Sequence, residues 1–221
     1  MVSAITPFVF PSWVNQVKWV VLGAALVVPP YVVLVVAYGA SPNATDVGYR
    51  PQQPVPYSHA LHAGQLGMDC RYCHVAVETA AQASIPSTKV CMNCHTTIFG
   101  QSEKLAQVRE SYGTGEPIPW VRVHDLPDYA YFNHSAHVRR GVGCVTCHGP
   151  IDKMEVVYQA KPLSMSWCLE CHRNPERYLR PVAEVPNMSY VPPGGDQLSL
   201  GLRLKQEYNI HASTDCSTCH R

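Results

Sequence analysis

The sequence predicts a mainly helical and irregular fold behind one membrane-spanning helix near the N-terminus. Three observations carry that reading. No charged side chain occurs from Trp19 to Ala40, a stretch long enough to cross a bilayer as a helix. The chain has 19 prolines, which favour loops and short helices over sheet. All ten cysteines fall in five copies of Cys-x-x-Cys-His: Cys70-Cys73-His74, Cys91-Cys94-His95, Cys144-Cys147-His148, Cys168-Cys171-His172 and Cys216-Cys219-His220.

Cys-x-x-Cys-His is the attachment signature of a c-type haem. Two thiols add across the haem vinyl groups, and the adjacent His meets the iron as a neutral imidazole. The competing reading is structural zinc, since the first two pairs have the spacing of a zinc ribbon. Zinc, however, has no need of a His after each second Cys. With 11 histidines in 221 residues, five matches by chance would be on the order of one in a million. The composition also limits the fold. Behind the apolar segment roughly 35 residues remain per haem, too few for a core of ordinary size. The expected fold class is therefore a mainly α and irregular multihaem cytochrome c wrapped around five covalently bound haem c groups. A net charge of +1 leaves no strongly basic groove, so nucleic acid is not an expected partner.

The elements follow in order. Residues 1–18 are expected to form a cytoplasmic N-terminal segment and residues 19–40 the transmembrane anchor. Ala37-Tyr38-Gly39 loosely resembles a signal-peptidase site, but the apolar run exceeds a usual signal core, so a retained anchor is expected. Pro29-Pro30 should bend it and free carbonyls that a neighbouring subunit would satisfy. Lys18 is the sole cation before the span and orients it weakly. Haem attachment in bacteria occurs outside the cytoplasmic membrane, which places the following residues on the periplasmic side. Residues 41–56, with Pro42, Pro51, Pro54 and Pro56, look like a linker.

Two segments then repeat. Tyr57-Ser58-His59-x2-His62 precedes the first two haem motifs, and Phe132-Asn133-His134-x2-His137 precedes the next two. Residues 57–131 are thus a first dihaem module plus connector, 132–181 a second module, and 182–221 a C-terminal segment with the fifth haem. Two His three residues apart on a helical turn share a face but diverge. One can serve a haem of its own module and the other a neighbour.

Five histidines are proximal: His74, His95, His148, His172 and His220. His59, His62, His134, His137 and His124 are candidate distal ligands. His211, close before Cys216, is more readily a silent surface residue. Met154, Met165 and Met188 are further axial candidates, though each more often packs against a haem face. This supply implies mostly six-coordinate haems, which pass electrons and bind no substrate. No catalytic residue is assigned.

The His-x2-His segments resemble those of class III cytochromes c. That resemblance implies that His59 and His134 ligate the haems that follow them, and that His62 and His137 reach other haems. Three longer stretches, Val123–His134, Gly143–Gly149 and Pro162–Arg173, are similar to the pentahaem subunit of bacterial alternative complex III. So are the ending Thr214–Arg221 and the single span. The resemblance implies an electron-transfer subunit of a membrane quinol:electron-acceptor oxidoreductase. Its partners would be an iron–sulfur subunit, a monohaem cytochrome c subunit and polytopic quinol-site subunits. The acceptor would be a soluble cytochrome c, a copper protein or an oxidase. Two alternatives are a membrane-anchored multihaem quinol dehydrogenase and an open-haem reductase.

The denatured protein should exceed its polypeptide mass by five haem masses. Mass spectrometry of a mature preparation finding four or fewer would refute the count.

Overall fold

The computed structural model describes residues 9–41 and 46–221. Residues 1–8 of the expected N-terminal segment and 42–45 of the expected linker, Pro42 included, lie outside the described residues. The chain divides into two units, with the boundary between Thr45 and Asp46.

The first unit is helix α1, Val14–Gly39. It begins before Trp19, because Asn15, Gln16 and Lys18 are compatible with helix and the turn need not stop at a membrane surface. The helix is continuous through Pro29 and Pro30. Neither proline has an N–H, so the carbonyls of Ala25 and Leu26 lose their intrahelical donors. None of its residues is buried in the unit. The helix is long and apolar enough to cross a membrane.

The second unit contains eight short α-helices: α2 (Cys70–Cys73), α3 (Thr88–His95), α4 (Ala106–Thr114), α5 (His134–Val138), α6 (Cys144–His148), α7 (Met165–Arg173), α8 (Gln197–Glu207) and α9 (Cys216–Cys219). A π-helical turn spans Ala60–Gln65. Among the described residues there is no strand, only isolated bridges at Ala130–His220 and Val142–Leu179.

Local chemistry starts these helices. Asp69 accepts from the Arg71 amide ahead of α2, Asn133 from Ala136 ahead of α5, Ser164 from Trp167 ahead of α7, and Asp196 from Ser199 ahead of α8. Each side chain occupies an orphan amide of the first turn. Gly149 ends α6 with φ 67°. A side chain there would also strike the Ala160 methyl, so this residue after His148 must be glycine.

Apolar packing is thin. Val55, Val108 and Ile118 form one cluster, against Cys91, Met92, Leu105 and Trp120. Leu179, Leu200 and Leu204 form another, against Val142, Tyr190, Tyr208 and Ile210. Helix α8 docks closely on Pro175–Arg177. Gly201 approaches the Glu176 carbonyl so tightly that a Cβ would collide with it. Lys205 pairs with Glu176 at 2.9 Å, and Gln197 donates to the Leu179 carbonyl at 2.7 Å.

The proline-rich stretch before Tyr57 is not a free linker. Gln53 and Val121 exchange two hydrogen bonds, at 2.9 and 3.0 Å. Gly48 and Gln159 are paired at 2.8 Å, and Val55 is core. Prolines fix an extended backbone, and here that backbone is tied to the connector.

Leu179 is only 1% exposed. Leu179→Ala should cost about 2–5 kcal/mol of stability, seen as earlier denaturant unfolding of the second unit by far-ultraviolet circular dichroism.

Candidate haem sites

The motifs are numbered sites 1 to 5 in chain order. Each Cys-x-x-Cys pair is a single helical turn, which puts its two thiols on one face with the His at the turn's end. Among the described residues, no group of three or more His, Cys, Asp or Glu side chains is placed to hold one metal ion.

The imidazoles are held in a repeated manner. Nδ1 lies 2.8 Å from a backbone carbonyl in His62 (to Ser58), His74 (to Ser84), His95 (to Ile98) and His134 (to Ala81). The separation is 2.7 Å in His137 (to Asn133), 2.6 Å in His172 (to Ser213) and 3.2 Å in His220 (to Tyr129). A carbonyl can only accept, so Nδ1 carries the proton and Nε2 keeps its lone pair. That is the tautomer and orientation a metal-binding imidazole needs.

Three pairs of rings come together at one characteristic spacing. Ring centres are 6.2 Å apart for His62 and His95, 6.4 Å for His134 and His148, and 6.1 Å for His137 and His172. A metal ion ~2 Å from each of two imidazole nitrogens separates their ring centres by roughly 6 Å. These residues therefore fit an iron between each pair. Within both segments the first His faces, or neighbours, the proximal His of the next motif. His59 interacts electrostatically with His74. The second His faces the proximal His of the motif after that.

The aromatic residue ahead of each segment has a role that sequence reasoning did not assign. Tyr57 stacks on His62 at 4.5 Å and meets His59 edge-on at 4.8 Å. Phe132 stacks on His137 at 4.5 Å and meets His134 edge-on at 4.8 Å. One ring clamps both imidazoles.

Burial keeps several of these rings neutral. It lowers His59 to about 4, helped by His74 and His62. It lowers His148 to about 3, helped by His124 and His134. His137 and His124 are also lowered, first by burial. Neutral imidazole is the ligating form.

His124 stands apart from the three pairs. Its ring contacts His148 edge-on at 4.4 Å, and its buried Nε2 has no hydrogen-bond partner. The Nδ1 atoms of His59 and His148 are likewise unpartnered. His211 is exposed, and its Nε2 donates to Asn209 Oδ1 at 2.9 Å, so its ligating nitrogen is engaged. Met154 is buried beside Gly149. Met188 is half-buried, and Met165 is 65% exposed.

The family model of cytochrome c7 and related cytochromes c matches residues 130–221, which covers α5 to α9. The multihaem cytochrome c subunit of a menaquinone reductase from Nitratidesulfovibrio vulgaris is 30% identical over 146 residues. The match covers 57% of this chain and 70% of that protein.

His62→Ala and His137→Ala should each turn one haem per chain high-spin, while the haem served by His59 or His134 stays low-spin. His211→Ala should change nothing. Low-temperature electron paramagnetic resonance reads all three outcomes, and unchanged spectra for both of the first two would refute the pairing.

Proposed function

We propose, since the chain belongs to the same family of multihaem cytochrome c subunits as its Nitratidesulfovibrio vulgaris relative, that it is the electron-relay subunit of a membrane complex working on quinones. The observation that carries this reading is the set of imidazole pairs spaced at 6.1–6.4 Å, five of whose six rings are fixed through Nδ1. A site closed by two imidazoles has no open position for a substrate. When bound, each haem supplies one-electron redox chemistry.

In this reading the chain holds five haem c groups. The thioether bonds form at Cys70 and Cys73, Cys91 and Cys94, Cys144 and Cys147, Cys168 and Cys171, and Cys216 and Cys219. His74, His95, His148, His172 and His220 are proximal. His59, His62, His134 and His137 are the distal ligands of sites 1 to 4 in that order. His124, with its lone buried Nε2, is a further candidate ligand beside site 3. Helix α1 is the anchor, and the haem-bearing unit faces the periplasm.

The partner set we infer is that of alternative complex III. An iron–sulfur subunit, a monohaem cytochrome c and polytopic quinol-site subunits surround the chain, and a soluble cytochrome c, a copper protein or an oxidase takes the electrons. The stretches around His124–His134 and Met165–Arg173 support this. The relative is named a menaquinone reductase, which favours a second reading with electron flow towards quinone. Paired imidazoles serve either direction equally.

Quinone chemistry itself belongs to the partners. It moves protons together with electrons, and α1 has no Asp, Glu, His, Lys or Arg after Lys18. Intramembrane ionisable groups normally mark such sites. In stopped-flow mixing with a menaquinol analogue, the separated subunit should be reduced far more slowly than the whole complex turns over. Reduction at the complex's rate would make the chain a quinol dehydrogenase.

A further inference from the structure

We propose that the five attachment sites stand in the spatial order 2, 1, 3, 4, 5, so that sites 2 and 5 are the ends at which redox partners meet the chain. This rests on the haem reading above and adds the order, which the numbering of the motifs does not give.

Sites 1 and 2 are neighbours through the first His-x2-His segment. His62 faces His95 of site 2, while His59 interacts with His74 of site 1. The site 2 residue Asn93 donates to the Tyr72 hydroxyl of site 1 at 3.0 Å. Tyr57 interacts with Cys70, Cys73 and Cys91 together.

Site 1 then meets site 3 rather than leaving site 2 as the bridge. The side chains of Cys70 and Cys144, the first thiols of the two motifs, interact directly. One loop after site 1 serves both sites. Its Ser84 carbonyl accepts from His74, and its Ala81 carbonyl accepts from both the ring and the amide of His134. The rings of His74 and His59 also act on His148 of site 3.

The connector explains how this is possible. It leaves site 2 through α4 and returns to pair Val121 with Gln53, just ahead of the first segment. Site 2 is thereby left at one end.

Sites 3 and 4 share the second segment, through His134 and His137, and Cys147 interacts with Cys168 and Cys171. Sites 4 and 5 are joined where His172 donates to the Ser213 carbonyl, three positions before Cys216, and where Cys168 interacts with Cys219.

Exposure agrees independently with the ends. Of the ten cysteines only Cys94, in site 2, and Cys216, in site 5, are exposed, and the other eight are half-buried.

The test is an electron cryomicroscopy structure of the complex purified in mild detergent from its own membranes, read as iron positions. The expected result is that nearest-neighbour irons run 2, 1, 3, 4, 5, with the partners' cofactors closest to sites 2 and 5. Five irons in any other order, or a partner cofactor closest to site 1, 3 or 4, would overturn the inference while leaving the relay reading intact. Fewer than five irons would overturn that reading, and the order with it.

Discussion

An imidazole has two nitrogens, and only one can serve a metal. The other must be satisfied, or the ring turns and the lone pair is misdirected. In this chain seven rings solve the problem with a backbone carbonyl on Nδ1. A hydrogen bond of this kind is worth only about 0.5–1.5 kcal/mol to stability. Its value to a metal site is larger, since loss of such a partner typically costs 10–100-fold in affinity. The irregular fold accommodates that constraint: the presenting carbonyls lie in turns and loops, and one of them, on Ala81, accepts from both the ring and the amide of His134. Two presenting turns even use backbone that ordinary residues avoid. Ser84 itself has φ 58°, and Phe99, next to Ile98, has φ 54°. Left-handed backbone at a non-glycine residue is unfavourable, and here it aims the carbonyls that His74 and His95 use.

The two His-x2-His segments reach the same geometry by different local routes. The first is a π-helical turn that begins after His59, and the second is the α-helix α5. Ser58 stands where the second has Asn133. Ser58 Oγ accepts from the Leu61 amide at 3.0 Å, and Asn133 Oδ1 from the Ala136 amide at 3.3 Å. Both cap the turn three residues on, which Ser and Asn do about equally well. The carbonyls of the same two residues take the Nδ1 protons of His62 and His137. One residue thus starts each turn and orients the second imidazole.

What could be read from the sequence was whatever is local. The Cys-x-x-Cys-His motifs name their own thiols and their own proximal His, and the His-x2-His spacing implies a shared turn. The carbonyl partners were not legible, because every residue has a carbonyl and three of the seven pairings are remote. Ala81 and His134 are 53 positions apart, Ser213 and His172 are 41, and Tyr129 and His220 are 91. The Cys70–Cys144 contact is hidden for the same reason. Prolines before Tyr57 suggested a linker, since composition records the extended backbone but not the hydrogen bonds Gln53 makes to Val121. His124 carries no local signal for its contact with His148, which depends on how the connector returns.

A chain with so little apolar core is poorly suited to holding distances over its whole length. Long irregular segments adjust, and a small shift at one end accumulates at the other. The arrangement here avoids that dependence by making each spacing local. Neighbouring sites 1 and 2, and sites 3 and 4, are each set by one turn whose two imidazoles share an aromatic clamp. The join between the modules is set by a loop that serves His74 and His134 within four residues, Ala81 to Ser84. The join to site 5 is set by Ser213, itself just ahead of the last motif. The connector and the proline-rich stretch share in this, since the Tyr129 carbonyl accepts from His220 of site 5 and Val121 is paired with Gln53. Irregular backbone thus holds the array through short segments that touch two sides at once.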